Sequence, residues 1–466
     1  MEITKQQLHD KITAFIDANR ENYVKDLAHL LSFRSVQGPA APGAPFGPEV
    51  RDALLAAQKM ADGMGFATHN CEGYMVYADL PGQEEGHIAT ITHLDVVPEG
   101  NGWNSDPYTL VEKDGWLIAR GTADDKGPAL LTLYMAKFFR ELGVPLRYGL
   151  RILLGGNEET GMEDVDYYLQ NYPQPLFCFS PDAEFPVSYG EKGLYSGDFI
   201  SAPLTDGKML AFNGGIAGNV VPDRAACLLK ADPAALPAAP RITITEEDGH
   251  ALLSAQGIGG HAAMPENTLN AIGLLVNYLL DNRLCAPAEE SFLQLLRRLH
   301  SVTDGSGLGI ACRDDVFQGL TCIGGTIKLE DGRLTQNINI RFPTTITSEE
   351  LTGKLSDEAA AAGAVFTAAR GEKPFYIDPD SPLVQTLLSV YNEVTGENGK
   401  AFTMGGGTYA RHFANAVSYG PEKPGLQPPA FVGDMHGANE GANLENLMEA
   451  LRIYILAVWR LQEIDF

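Results

Sequence analysis

Short apolar runs alternate with a helical pattern between Tyr74 and Asp182, and this alternation restricts the possible folds more than any other feature of the sequence. The segments HIATITHLDVV, RYGLRILLGG and LFCFSPD predict strands, and the segment GPALLTLYMAKFFREL predicts a helix. This order indicates an α/β fold with a mostly parallel sheet. Such sheets bind ligands beyond the carboxyl ends of their strands. Four acidic or histidine residues are expected there: His93, Glu158, Glu159 and Asp182.

A different pattern begins near Gly190. The segments RITITEEDG, ALLSAQGIGG and LTQNINIRFP alternate apolar with polar residues, which is typical of antiparallel strands with one buried face. Helical patterns lie between them, and the α/β pattern resumes near SPLVQTLLSVYNEVTG. We therefore predict a catalytic domain formed by residues 1–189 and 378–466, with an α+β domain inserted over residues 190–377.

The composition of the chain limits its partners and its compartment. The chain has 34 basic and 60 acidic residues, a formal net charge of −26, which disfavours nucleic acids and anionic membranes as partners. The more common explanation for such a charge is a solvated acidic surface that keeps a soluble protein apart from its neighbours. The six cysteines form no CxxC pair, the N-terminus lacks the apolar run of a secretory signal, and no stretch of about 18 apolar residues occurs. We therefore expect a cytoplasmic protein with reduced thiols.

Five short motifs contain the acidic and histidine residues that suggest chemistry: THLDVVPEG, GTADDKGP, GGNEETG, SPDAEFP and MHGANE. Each has a structural explanation when it is taken alone, such as a His–Asp pair, an acidic helix N-cap or a solvated charge pair. Two successive aspartates before a buried helix exceed what a cap requires, and cations would offset the cost of burying them. Together the five motifs favour a hydrolase site with two metal ions bridged by a carboxylate.

The motifs also suggest different roles for neighbouring residues. His93 and Asp95 are two apart on a predicted strand and would face the same side, so Asp95 could orient the imidazole. Of the adjacent glutamates in GGNEETG, one would ligate a metal and the other, held off the metal, would take a proton from water. The motif SPDAEFP offers Asp182, with Glu184 as the less favoured candidate, and MHGANE offers His436.

Taken together, these motifs resemble the co-catalytic zinc aminoacylase and carboxypeptidase family that includes acetylornithine deacetylase and glutamate carboxypeptidase, and most of all its PepV-type dipeptidases. The resemblance covers essentially the whole chain. It implies a zinc-peptidase-like catalytic domain and a lid domain built of two ferredoxin-like halves. It also implies two zinc ions, although manganese or cobalt would suit the same oxygen and imidazole ligands.

The resemblance assigns the site residue by residue. It assigns five metal ligands. One zinc would be held by His93 and Asp182, and the other by Glu159 and His436. Both would be bridged by Asp124. The family also has a cis peptide bond after the bridging aspartate, here between Asp124 and Asp125. The catalytic residues would be Asp95 and Glu158, the latter as general base and then as acid for the leaving amine.

The inserted domain contains further matches to the family. His261 in GIGGHAAMP resembles the lid histidine that polarises the scissile carbonyl, and the alternative is a histidine that caps a helix after Pro265. Asn219 in AGNVVPD and Arg341 in NINIRFP resemble the residues that hold the carboxylate end of the substrate. The GGGT run resembles a backbone cradle near that carboxylate, and a plain turn is the alternative. The binding residues in this run would be Gly406, Gly407 and Thr408.

The sequence therefore predicts a zinc-dependent dipeptidase that cleaves short, unblocked peptides. An N-acyl-amino-acid deacylase or carboxypeptidase of the same family is the nearest alternative, and a catalytically silent peptide-binding protein is the alternative from another class. Relatives with a short lid borrow the lid histidine across a dimer interface. The lid of this chain is nearly twice as long, so the resemblance implies that His261 acts within one chain and that the protein is a monomer. The expected partner is a small peptide rather than a nucleic acid or a membrane.

Overall fold

The computed structural model describes residues 4–204 and 207–466, and the chain divides into two compact units. The first unit ends at Gly190 and resumes over Tyr376–Phe402 and Thr408–Phe466. The second unit comprises Glu191–Phe375 and Thr403–Gly407. The segment Thr403–Gly407, which the predicted boundaries place in the second part of the catalytic domain, therefore clusters with the second unit.

The described residues form nine α-helices. These are α1 Lys5–Leu31, α2 Pro48–Gly63, α3 Lys126–Leu142, α4 Glu163–Asn171, α5 Ala271–Asp281, α6 Pro287–Leu299, α7 Ser348–Ala361, α8 Pro382–Thr395 and α9 Leu444–Leu461. None of the helices in this part of the chain combines the length and the apolar character needed to cross a membrane.

The strands fall into three runs along the chain. The first run is β1 Ala67–Cys71, β2 Met75–Leu80, β3 His87–His93, β4 Val111–Lys113, β5 Trp116–Ile118, β6 Gly149–Gly155, β7 Phe177–Ser180, β8 Ala183–Glu184 and β9 Ser188–Glu191. The second run is β10 Gly193–Ile200, β11 Met209–Gly214, β12 Val220–Val221, β13 Arg224–Leu229, β14 Ile242–Glu247, β15 His250–Gln256, β16 Gly260–His261, β17 Arg313–Asp314, β18 Gln318–Gly319, β19 Thr321–Glu330, β20 Arg333–Phe342 and β21 Val365–Glu372. The third run is β22 Phe375–Tyr376, β23 Phe402–Met404, β24 Ala416–Ser418, β25 Pro421–Glu422 and β26 Gly441–Asn443.

Helix α1 opens the first unit and supports the core behind its sheet. It begins at a capping box in which the Thr4 hydroxyl accepts the backbone N–H of Gln7 and the Gln7 side chain accepts that of Thr4. No glycine or proline interrupts the following 27 residues, so they form one helix. Its buried stripe includes Leu8, Tyr23 and Leu27, and the helix packs against α3 and α9.

The sheet of the first unit runs in the order β1-β2-β6-β3-β7-β24-β9. Its centre is parallel, because β3 pairs in parallel with β6 and β7, and β7 pairs in parallel with β24. The outer pairs β1–β2, β2–β6 and β9–β24 are antiparallel, so the sheet is mixed. All of β7 and all but the first residue of β3 are buried, as continuous apolar runs predict for strands covered on both faces.

The parallel strands carry the candidate residues at their carboxyl ends, as the sequence predicts. Strand β3 ends at His93, which pairs with Gly155, the last residue of β6. The glutamate pair at 158–159 follows β6 in the chain, and Asp182 follows β7. Helix α3 packs on β3 and β6 and begins at Lys126, directly after the two aspartates of GTADDKGP. Four of the five motifs are thereby attached to neighbouring elements of one sheet.

The second unit contains an eight-stranded antiparallel sheet in the order β14-β15-β13-β11-β19-β20-β10-β21. Strand β20 alternates buried with less buried residues over most of its length, which is the pattern expected for a sheet with one covered face. The core of this unit includes Leu275 of α5, Leu296 of α6 and Leu355 of α7. The segments that alternate in the sequence therefore form an antiparallel sheet with helices, separate from the parallel-centred sheet.

Candidate metal centre

His93 is buried and its imidazole is fixed from both ring nitrogens. Nδ1 lies 2.9 Å from the backbone carbonyl oxygen of Asp95, and because a carbonyl can only accept, Nδ1 carries a proton. Nε2 lies 2.8 Å from Oδ1 of Asp124. The Asp95 carboxylate is more distant, with Oδ1 at 3.5 Å from Nδ1. The backbone of Asp95 therefore makes the shorter contact with the ring, a role that the sequence suggested for its side chain.

Two buried carboxylates hold the loop that carries Glu158 and Glu159. Strand β3 ends at His93, so Asp95 lies beyond the strand, where Oδ1 and Oδ2 accept the backbone N–H groups of Glu158 and Glu159, each at 3.2 Å. Oδ2 of Asp164 accepts the N–H groups of the two preceding residues, at 2.7 and 3.1 Å. Four successive backbone N–H groups are thus bonded to carboxylates, and these bonds position both glutamates.

Asp124 lies between the two candidate imidazoles. Its Oδ1 faces Nε2 of His93 at 2.8 Å, and its Oδ2 faces Nε2 of His436 at 2.9 Å. The same nitrogen of His436 is 3.1 Å from Oε1 of Glu159. The peptide bond between Asp124 and Asp125 is cis, which confirms that expectation. A carboxylate with one imidazole at each oxygen has the arrangement of a ligand that bridges two cations.

Two groups of ligand atoms in the described residues share His93. In each group one atom from every member lies within 4.8 Å of the others; the groups are His93–Asp124–Glu159 and His93–Asp125–Asp182. Oδ2 of Asp125 accepts the backbone N–H of His93 at 3.2 Å, while its buried Oδ1 has no hydrogen-bond partner among the described residues. The structure thus brings Asp182 to His93, as the predicted ligand pair requires. It also brings in Asp125, for which no ligand role was predicted.

Carboxylates crowd this site, and cations would relieve their mutual repulsion. Burial, followed by the charge of Asp182, raises the pKa of Glu158 well above its ordinary value. Burial and the charge of Asp124 have the same effect on the pKa of Asp182. Burial acts on Asp124 in the same direction, but hydrogen bonds from His436 and His93 outweigh it and hold the pKa of Asp124 below its usual range. Imidazole nitrogens and carboxylate oxygens are the donors that zinc takes in proteins, so this set of residues fits divalent cations.

His261 and Asn219 are brought together in the second unit. His261 lies on β16, whose pairing with β12 places His261 opposite Val220, the residue after Asn219. The backbone N–H of Ala262 donates to the carbonyl oxygen of Asn219 at 2.9 Å. The capping alternative for His261 is wrong, because the next helix, α5, begins at Ala271 with Asn270 as its N-cap.

The remaining predicted substrate-binding residues are Arg341 and those of the GGGT run, and they lie on other segments of the chain. Arg341 is buried on β20, and its Nε donates to Oδ1 of Asn339 at 3.1 Å. A Cβ atom on Gly405, the first glycine of the GGGT run, would lie 2.9 Å from Cβ of Ala263, so the run packs closely beside the segment after His261. Residues 406 and 407 continue this segment of the second unit. In the first unit the Thr408 hydroxyl accepts the backbone N–H of Ala410 and so caps a short 3₁₀ turn, as the plain-turn alternative requires.

A parallel-centred α/β unit whose strand ends converge on imidazole and carboxylate ligands defines an α/β metallohydrolase. More narrowly, the chain belongs to peptidase family M20/M25/M40, whose model matches residues 89–460. The matched range contains all five motifs and all of the second unit. The resemblance predicted from the motifs is therefore confirmed, and the protein is an enzyme of a metallopeptidase family.

Individual relatives match this chain over nearly their whole length. A beta-Ala-Xaa dipeptidase of Lactobacillus delbrueckii subsp. lactis is 31% identical over 464 residues, which cover 96% of this chain and 97% of the relative. The solved structure of the di-peptidase Dug1p from Saccharomyces cerevisiae matches with a TM-score of 0.64 at 12% identity and covers 98% of this chain and 99% of its own. The structure of YxeP from Bacillus subtilis, described as a dinuclear metal binding peptidase from the M20 family, matches with a TM-score of 0.54 at 12% identity and covers 96% of this chain and 100% of its own. The two structures show a shared fold.

Four residues that support the site were not predicted. Asp164 accepts the Tyr409 hydroxyl in addition to its two backbone donors. Arg120 and Glu440 form a buried ion pair between the loops that carry Asp124 and His436. The sequence does contain a signal for this pair, because each member is a charged residue four positions from a candidate ligand. Nothing local indicates that the two contact each other, since they are 320 residues apart.

Proposed function

We propose that this chain is a zinc-dependent dipeptidase that uses two metal ions to hydrolyse short peptides with a free amine and a free carboxylate. The observation that carries the proposal is the position of Asp124 between the imidazoles of His93 and His436. The relative from Lactobacillus is named a beta-Ala-Xaa dipeptidase, and YxeP is described as dinuclear metal binding. The first description supports dipeptidase activity for this chain, and the second supports a site with two metal ions.

Five residues would hold the two ions in this proposal. One ion would be held by His93 and Asp182, and the other by Glu159 and His436. Both ions would be bridged by Asp124. Bound zinc would acidify a water molecule and polarise the scissile carbonyl, and manganese or cobalt could replace it. The contacts of Asp124 with His93 and His436, and of His436 with Glu159, are the distances that support these assignments.

Glu158 would move the proton during hydrolysis. Its neighbour Glu159 is held at His436, which leaves Glu158 to take a proton from the attacking water and to return it to the leaving amine. Asp95 would act by fixing the backbone of both glutamates through its two oxygens. The division of labour predicted for the two glutamates therefore has structural support in the contact between Glu159 and His436.

The second unit would be the lid, built of two ferredoxin-like halves, and would bind the substrate. His261 would stabilise the oxyanion that forms during attack on the carbonyl. Arg341 and Asn219, with the backbone of Gly406 and Gly407 and with Thr408, would hold the carboxylate end of the peptide. The planar guanidinium of Arg341 suits a carboxylate, because two parallel N–H groups can bond its two oxygens. The contact between the segments of Asn219 and His261 supports a shared role for these two residues.

The proposal also includes a monomer in which His261 acts on the metal centre of its own chain. Light scattering of the purified enzyme should give a mass near that of one chain, 50.2 kDa. A stable mass of two chains at all enzyme concentrations would contradict the monomer, because the lid histidine could then come from the second copy.

A substrate panel tests the proposed activity most directly. The metal-reconstituted enzyme should hydrolyse free dipeptides, and a panel with β-alanyl and D-residue members will define its preference. An acetylated amino acid should be a poor substrate, because the proposal requires a free amine. Preferential hydrolysis of the acetylated compound would reject the dipeptidase in favour of a deacylase. Binding of peptides without any turnover, and without bound metal, would instead indicate a catalytically silent protein.

A further inference from the structure

Arg120 and Glu440 form an ion pair that is almost completely removed from solvent. Arg120 is 1% exposed and Glu440 is 0% exposed. Two charges removed from water are costly unless hydrogen bonds satisfy their remaining donors and acceptors. Arg120 lies four residues before Asp124, and Glu440 lies four residues after His436. A costly pair at this position therefore calls for an explanation beyond stability.

The Glu440 carboxylate bonds the backbone of the loop that carries Asp124. Its Oε1 accepts three N–H groups, those of Gly121 and Ala123 at 3.0 Å each and that of Asp124 at 3.2 Å. Its Oε2 accepts Nη1 of Arg120. These bonds to an ionised acceptor are stronger than bonds between neutral groups, so the loop is held close to its observed position.

The Arg120 guanidinium bonds the backbone of the loop that carries His436. Its Nη2 donates to the carbonyl oxygen of His436 at 3.2 Å and also contacts the carbonyl oxygens of Glu99 at 3.3 Å and Pro98 at 3.5 Å. The indole of Trp103 lies against the same guanidinium, with the ring centroid 5.3 Å from Cζ. The planar fork of an arginine can reach these acceptors together with Glu440, which a lysine ammonium cannot do.

The two side chains are therefore crossed. Arg120 belongs to the Asp124 loop and bonds the backbone of His436, while Glu440 belongs to the His436 loop and bonds the backbone of Asp124. Both loops are turns without a strand or helix at the ligand itself, and the His436 side chain is 50% exposed. The β5–β26 ladder, which pairs Ile118 with Gly441, and a bond from the Ala119 N–H to the carbonyl oxygen of Glu440 join the two loops on one side of the ion pair. Between this ladder and the ligands, the crossed pair connects the backbones of Asp124 and His436.

We propose that Arg120 and Glu440 are positioning residues that set the distance between Asp124 and His436 and thereby maintain affinity for the metal shared by these ligands. This inference rests on the proposed metal centre. Neither side chain touches the substrate or reacts, and each acts through the backbone of a ligand on the opposite loop. Residues that orient ligands in this way typically change metal affinity by about 10- to 100-fold when they are replaced.

The test measures zinc binding to the metal-free full-length chain by competition with a chromophoric chelator, with circular dichroism and a thermal melt as checks on the fold. Glu440→Gln keeps the size of the side chain and removes its charge. We expect one of the two zinc ions to bind about 10- to 100-fold more weakly, with the secondary structure unchanged. Arg120→Lys keeps the charge but loses the fork, and we expect a change in the same direction.

Asp79→Asn is the matched control. Asp79 accepts Nε and Nη2 of Arg151 at 2.8 Å each, in the first unit and on strands β2 and β6. This substitution also removes the charge of a carboxylate bonded to an arginine, and zinc affinity should not change. Affinities within about twofold of the parent for both Glu440→Gln and Arg120→Lys would overturn the proposal. Unfolding of both variants would also overturn it, because the pair would then serve stability alone. A parent chain that binds no zinc would instead reject the proposed function.

Discussion

The Glu158→Ala enzyme is expected to lose about 10²- to 10⁴-fold in kcat while it keeps its fold and its metal content. Among the described residues, the two groups of ligand atoms include Glu159 but not Glu158, so removal of Glu158 should leave the metal ligands in place. The backbone of Glu158 is bonded to Asp95 through its N–H group, and alanine retains that bond. The predicted defect is therefore confined to proton transfer. Turnover of a free dipeptide and elemental analysis of the purified protein will measure both quantities.

Glu163→Ala is the matched control for this prediction. Glu163 is an exposed glutamate in the first turn of α4, the helix that follows the loop of Glu158. Its substitution should change kcat by less than about twofold, because the acid at this helix start contributes only to local stability, by about 0.3 to 1 kcal/mol. Near-normal turnover by Glu158→Ala would reject Glu158 as the base. Loss of metal by this variant would instead show that Glu158 is a ligand.

The sequence predicted the framework of the site because the signals for the framework are local. Continuous apolar runs predicted β3, β6 and β7, and the rule that ligands gather at carboxyl strand ends placed His93 and Asp182 correctly at those ends. The alternating segments likewise predicted the antiparallel sheet of the second unit. Each of these patterns can be recognised within about ten residues, without knowledge of what packs against the segment.

The support of the site could not be predicted because it depends on contacts between distant segments. Asp95 was expected on the same strand as His93, but the strand ends at His93, two residues before Asp95, and the Asp95 carboxylate bonds the glutamate loop. In the sequence, Asp164 looks like an ordinary acidic residue in the first turn of a helix. Only the fold shows that its carboxylate bonds the loop that carries the two glutamates. Periodicity and spacing contain no information about such partners, so these roles emerge only in three dimensions.

Asp124→Asn is expected to weaken the binding of both zinc ions and to lower kcat by roughly 10³-fold or more, because Lewis-acid stabilisation of the reacting oxygens is worth several kcal/mol. Asparagine keeps the shape of the side chain but has one oxygen in place of two and no charge. It can therefore offer an oxygen ligand to only one of the two ions. Chelation of the parent enzyme should cause the same loss of activity, and added zinc should restore activity to the parent but not to this variant.

For Asp124→Asn we also expect a smaller increase in thermal stability on addition of zinc, and this can be measured without an activity assay. Zinc at 100 times its dissociation constant raises the free energy of unfolding by about 2.7 kcal/mol for each site that binds only the folded chain. The parent should therefore melt at a higher temperature with zinc than without it, whereas Asp124→Asn should show a much smaller increase. Asp52→Asn, on the exposed surface of α2 beside Arg51, is the control and should respond to zinc as the parent does. An undiminished response of Asp124→Asn would mean that Asp124 does not bridge the ions, and Asp125, which also lies beside His93, would be the next carboxylate to substitute.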